Sequence, residues 1–118
     1  MAREGDFFRM ILGFRSYSLG SHVHWVPLMD VYEFVDKFVI LVELPGVDKE
    51  DIDITLKDGF LKISGVRKEM YNENRVRIHQ MEMSYGYFER IIDVGNVDER
   101  NIKADYKDGI LVITIFKG

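Results

Sequence analysis

The side chains of this sequence with reactive or metal-binding chemistry are few, and their spacing argues against using it. His22 and His24 stand two residues apart, sharing one face of any extended strand, and His79 lies far along the chain. Two imidazoles without a third ligand nearby make a poor metal site, because zinc takes three or four protein ligands. Asp48, Glu50, Asp51 and Asp53 would attract a cation, but they lack the spacing and central glycine of a calcium loop and read as a solvated turn. Ser16, Ser18, Ser21, Ser64 and Ser84 fall in no motif that activates a hydroxyl. The glycines sit singly at turns, so no loop is built to cradle phosphate. Cysteine is absent, which removes disulfides, thiolate nucleophiles and thiolate metal sites together. No metal, cofactor or catalytic residue is therefore expected, and the chain does not read as an enzyme.

The whole-chain numbers narrow the classes further. At 118 residues there is room for one domain, and a chain of this size hides roughly two-thirds of the surface its unfolded form exposes. Apolar residues make up 47% and charged residues 31%, the balance of a globular protein. The net charge is −4 and no basic stripe appears, so a nucleic-acid partner is not expected. No stretch approaches the roughly 18 apolar residues a membrane helix needs. Asp6 and Arg9 interrupt the apolar residues near the start, unlike a secretory leader. A soluble, cytoplasmic protein is the expectation.

The elements announce themselves through a repeat. Residues 38–64 and 88–114 align without a gap at an offset of 50, with nine of twenty-seven positions identical, Phe38/Phe88, Val47/Val97, Ile52/Ile102 and Leu61/Leu111 among them. Each copy reads as strand, Val-Asp turn, strand, Lys-Asp-Gly turn, strand. Duplication and convergence of similar hairpins account for this equally well. Asp-Gly between alternating runs predicts a two-residue type I′ turn with both central residues at positive φ. That turn at Asp58-Gly59 sets Lys57 opposite Phe60, Leu56 opposite Leu61 and Ile54 opposite Ile63. At Asp108-Gly109 the same rule gathers Ile102, Ala104, Tyr106, Leu111, Ile113 and Ile115 on one face. A slip of one residue would scramble both faces. The fold class is all-β.

Three places depart from this symmetry. The last strand carries Ile110, Val112 and Phe116 on its outer face, and an apolar outer face is usually covered. Arg90 alternates with Phe88, Ile92 and Val94, where the first copy has Ile40; it reads either as an exposed edge residue or as half of an interface ion pair. Between the copies, residues 66–85 form a connection far longer than a compact sandwich needs, which predicts a functional loop. Within it Arg75-Val76-Arg77-Ile78-His79 alternates as a brief edge or exchanged strand would. Before the repeat, residues 27–33 read as a short edge strand with Pro27 at its start. Ahead of that, Phe7, Met10, Ile11 and Phe14 recur at helical spacing, either capping the core or forming an adaptable sticky arm.

Four segments in order are similar to those of the small heat-shock proteins. Pro27 to Glu33 resembles the family's opening P-x-x-D-x-x-E strand, and Glu43-Leu44-Pro45-Gly46-Val47 its E-L-P-G-V turn. Gly86-Tyr87-Phe88-Glu89-Arg90 resembles the G-x-F-x-R strand, and Ala104 to Leu111 fits the A-x-x-x-[ND]-G-[VI]-L signature, the most specific of the four. Val94-Gly95 stands where the family has Leu-Pro, and Met83 and Phe116 replace a common Arg and Pro. Ile113-Thr114-Ile115 spells the I-x-I of family tails but falls within the last strand.

The resemblance implies an immunoglobulin-like β-sandwich, the α-crystallin domain, over residues 27–118, behind an N-terminal arm at 1–26. It implies an ATP-independent holdase that binds partly unfolded proteins and pairs with itself as a homodimer, in the cytoplasm. Phe7, Phe8, Met10, Ile11, Leu12, Phe14 and Trp25 are the expected client-binding residues of the arm. By resemblance to non-metazoan members, Arg75, Val76, Arg77, Ile78 and His79 pass to a partner's edge strand at Val31, Tyr32 and Phe34, with Arg90 at the same interface. Ile52, Ile54, Ile102, Ala104, Ile110 and Val112 are the expected groove residues. With no docking tail after the last strand, dimers or small oligomers are expected rather than large cages. The alternative is a co-chaperone of the CS-domain kind, which shares the sandwich but lacks the long loop and the A-x-x-x-D-G-I-L signature. A ligand-binding or catalytic sandwich would need convergent polar groups in a pocket, and none is named.

Overall fold

Both Asp-Gly pairs make the turn their chemistry dictates. In the computed structural model, which describes residues 23–71 and 73–118, Asp58 and Gly59 have φ of 54° and 82°, and Asp108 and Gly109 have 55° and 80°. Aspartate tolerates this left-handed region and glycine has no Cβ to clash there, so each pair closes a type I′ hairpin. The first hairpin joins β3 (Ile52–Lys57) to β4 (Phe60–Arg67), with Lys57 opposite Phe60, Leu56 opposite Leu61 and Ile54 opposite Ile63. The second joins β6 (Ile102–Lys107) to β7 (Ile110–Phe116), with Tyr106 opposite Leu111 and Ala104 opposite Ile113. The register expected from the sequence holds at both turns.

The remaining strands are β1 (Met29–Glu33), β2 (Lys37–Glu43) and β5 (Gly86–Asp93). They assemble into a four-stranded antiparallel sheet of order β1-β2-β7-β6 and a three-stranded one of order β3-β4-β5. Each copy of the repeat thus keeps its hairpin and lends its first strand to the other copy's sheet. The crossed pairings share one register. Phe38 faces Ile115 and Ile40 faces Ile113 in one sheet; Phe88 faces Gly65 and Arg90 faces Ile63 in the other.

The core lies between the sheets. Ile40, Val42, Leu44, Leu61, Ile63, Phe88, Ile113 and Ile115 are wholly buried, with Val47, Val94 and Leu111 nearly so. Each is worth about 1.5–3 kcal/mol of transfer free energy. The ion pairs, such as Lys117–Glu33 at 2.6 Å and Arg75–Glu69 at 3.2 Å, sit at the surface, where the median worth is about 0–1 kcal/mol. Burial of aliphatic faces, set by period-two alternation, therefore dominates the stability of the sandwich. Tyr106 fastens β6 to the turn after β2, its hydroxyl lying within hydrogen-bond reach of the Leu44 and Val47 carbonyls. Ile113 and Ile115 are core residues of β7, so the I-x-I spelling there serves packing.

Candidate functional site: an apolar edge strand, a long loop and a docked arm root

β1 is a short strand on the rim. Its inner edge pairs with β2 from Met29–Val42 to Glu33–Phe38, and its outer edge pairs with nothing among the described residues. Alternation would leave one face polar, yet Val31 and Tyr32 are both exposed, and so is Phe34 just beyond the strand at 48%. Val35 follows at 97%. A bare edge that is also apolar is a template for strand addition.

The long connection runs from Lys68 to Tyr85, since Val66 and Arg67 belong to β4. Among its described residues no strand forms, so Arg75–His79 does not adopt the brief strand expected of it within the single chain. The physical reason is local: a strand needs a paired neighbour, and Val76 is fully solvent-exposed here. The segment is also less polar than its charges suggest. Met70, Tyr71, Ile78, Met81 and Met83 are all exposed, and with Tyr85 they line an open concavity of about 380 Å³. The methionines were legible as Met81-Glu82-Met83, a short alternation overlooked beside the Arg75–His79 pattern.

Of the arm residues, Phe7, Phe8, Met10, Ile11, Leu12 and Phe14 lie outside the described residues. Trp25 is described, and it is docked on the sandwich. Its ring packs edge-on against buried Phe88, with centroids 5.3 Å apart, and its Nε1 donates to the Gly86 carbonyl at 3.0 Å. A ring so held pins the root of the arm to the sandwich. The residues around it are bound as well. The His24 backbone N–H donates to the Tyr87 carbonyl at 2.8 Å, and the Tyr87 N–H donates back to His24 Nδ1 at 3.2 Å. Pairing with β5 accordingly reaches back to His24, a few positions before Pro27, which is itself wholly buried.

Arg90 lies on the core-facing side of β5, as alternation places it, and is half-buried. Its Nη1 donates to the Pro27 carbonyl at 2.7 Å. Desolvation draws its pKa below the ordinary arginine value, and a backbone carbonyl supplies part of the compensation. Sequence reasoning had no signal for a carbonyl 63 residues away.

The six groove residues divide. Ile52, Ile54 and Ile102 pack partly buried against the core from β3 and β6, the two outer strands of opposite sheets. Ala104, opposite Ile113, is exposed. Ile110 and Val112 alternate with buried Leu111 and Ile113 and so face the other side of their sheet. Ile110 instead lines a groove of about 290 Å³ with Leu28, Met29 and Leu41, beside β1. Two apolar strips therefore stand where one was expected.

Among the described residues no group of three or more His, Cys, Asp or Glu side chains is placed to hold a metal, and no helix is long and apolar enough to cross a membrane.

Comparison with known proteins gives a consistent result. The model of the Hsp20/alpha crystallin family matches residues 30–118. Small heat shock protein C2 of Rickettsia felis is 35% identical over 113 residues, covering 95% of this chain and 73% of that protein. Spore protein SP21 of Stigmatella aurantiaca is 35% identical over 94 residues, 79% of this chain and 56% of its own length. Among solved structures, heat shock protein 16.0 from Schizosaccharomyces pombe matches with a TM-score of 0.74 at 32% identity, over 79% of this chain and 87% of that one. The hspA protein from Xanthomonas axonopodis gives 0.71 at 34%, over 80% and 96%.

Proposed function

The chain belongs to the Hsp20/alpha crystallin family of small heat-shock chaperones, and from that membership we propose that it is an ATP-independent holdase. It binds partly unfolded proteins and keeps them from aggregating until other chaperones refold them. The single observation that carries this reading is the combination of a bare apolar edge with a methionine-rich loop on the sandwich. Methionine side chains are unbranched and polarisable, so one surface can fit many clients. The action is mass action: whatever binds the unfolded form lowers its free concentration and slows the higher-order process of aggregation. Neither nucleotide nor cofactor enters the cycle. The arm residues Phe7 to Phe14 add further apolar surface in this reading, and the β3–β6 strip of Ile52, Ile54 and Ile102 gives a second docking line.

The same reading makes the active unit a homodimer, in the cytoplasm. The loop passes residues 75–79 to the bare outer edge of β1 in a second copy, which covers both exposed edges at once. Each backbone hydrogen bond so formed is worth about 0.5–1.5 kcal/mol net, so a strand of this length yields a dimer sensitive to micromolar dilution. Deleting residues 72–79 and closing the gap with a short turn is expected to give folded monomers by sedimentation and circular dichroism. A deletion that stays dimeric means the loop is not the interface.

Light scattering from a heat-labile enzyme, followed during warming, tests the activity itself. A several-fold excess of the chain is expected to suppress scattering equally with and without ATP. Undiminished scattering overturns the reading, and dependence on ATP assigns the chain to another mechanism.

A further inference from the structure

Arg67, the last residue of β4, stands where three separate segments meet. Its guanidinium lies 4.1 Å from the centre of the Trp25 ring and 5.5 Å from that of Tyr85. Nε donates to the Ser84 carbonyl at 2.9 Å, Nη2 reaches the same oxygen, and Nη1 donates to the Pro45 carbonyl at 3.1 Å. One planar cation therefore holds the root of the arm, the returning end of the long loop and the turn after β2. The three segments are far apart in sequence, and the stack between the two rings needs the flat face and the forked donors of arginine.

The neighbours make the arrangement specific. Trp25 also donates to Gly86, and His24 exchanges hydrogen bonds with Tyr87, so the arm root lies directly against the loop's end. That approach requires glycine at 86. Its φ is +109°, and a Cβ there would come within 2.5 Å of His24 Nδ1.

We propose that Arg67 is a positioning residue that couples the arm to the exchange loop, so that freeing either one loosens the other. Coupling between sites is reciprocal: if docking of Trp25 favours the bound position of Ser84 and Tyr85, their docking favours Trp25 by the same factor. The proposal deepens the holdase reading, since arm and loop are the two segments that reading uses to bind clients and to pair subunits. The coupling itself is a property of one chain and does not depend on either activity.

Hydrogen exchange on the full chain reads it directly, with emission from Trp25, the one tryptophan, as a second probe. Arg67→Met keeps a long apolar stem and removes the cation and its donors. It is expected to speed amide exchange about tenfold at both residues 24–26 and 82–86, a loss matching one stacked charge-assisted contact, and to shift Trp25 emission to the red. Amides of β6 and β7 should keep their protection. Arg67→Lys keeps the charge without the flat fork and is expected to restore little. Tyr85→Leu alters only the loop side and should still loosen residues 24–26, which serves the test if Arg67→Met fails to fold. Acceleration confined to one segment, or full rescue by lysine, overturns the proposal. Sedimentation of the same variants reports the dimer separately, so a failure of the exchange-loop reading is distinguishable from a failure of the coupling.

Discussion

Residues 38–64 and 88–114 build the same three strands with the same turns, yet they fill equivalent positions differently. In one crossed pairing Phe38 faces Ile115; in the other Phe88 faces Gly65. Ile115 is wholly buried and Phe38 lies half out, with the Lys117 ammonium 5.2 Å from its ring. In the second pairing the roles invert. Gly65 leaves a slot, Phe88 fills it completely, and Trp25 packs on the far side. In each cross-strand pair one residue fills the core, but the strand that supplies it differs. The same comparison explains Arg90: at the place of buried Ile40, the second copy has a long side chain that reaches out to bind Pro27. One copy is closed by β1 along its first strand, while the other is closed at the corresponding end by the arm root.

The sharpest way to test the equivalence is to cut both copies at once. Ile63 and Ile113 sit at matching register positions and are both wholly buried. Ile63→Ala and Ile113→Ala are each expected to cost about 2–5 kcal/mol, with the two values close together in urea melts. A large gap between them would show that the copies are alike in backbone only. The inversion itself is tested by a smaller change. A Cβ at Gly65 would sit 2.1 Å from the Asp51 carbonyl oxygen and 2.8 Å from Phe88 Cζ. Gly65→Ala is therefore expected to destabilise by about 1–3 kcal/mol, as overpacking does, although alanine is the better strand residue. A neutral or stabilising result would mean the Phe88 slot is looser than it looks.

The parts read correctly from the sequence are those decided within one hairpin. Asp58-Gly59 and Asp108-Gly109 fix turn type, the turn fixes register, and register fixes which of Ile54, Leu56, Leu61 and Ile63 face inward. The edge strand before the repeat and the family segments were legible for the same local reason. What escaped was decided at long range. Nothing near Trp25 says that its indole will dock on Phe88, and nothing near Arg67 says that three distant segments will converge on it. Arg75–His79 is a different case. Its alternation is visible, but among the described residues no strand pairs with it. Ile110 and Val112 stand on the outer face of β7, as alternation places them, across the sheet from the core.

The crossing of first strands has a consequence for how the chain acquires its fold. β2 needs β7 on one side, and Lys37 pairs with Phe116 at the very end of β7. A chain emerging from the ribosome can close its first Asp-Gly hairpin within microseconds, because that contact is local. Its β2 must wait, half-paired, until β7 has appeared. Such non-local pairing makes folding slow for a protein of this size and leaves the β2 edge open during synthesis. A member of a chaperone family would thus pass through an aggregation-prone interval of its own.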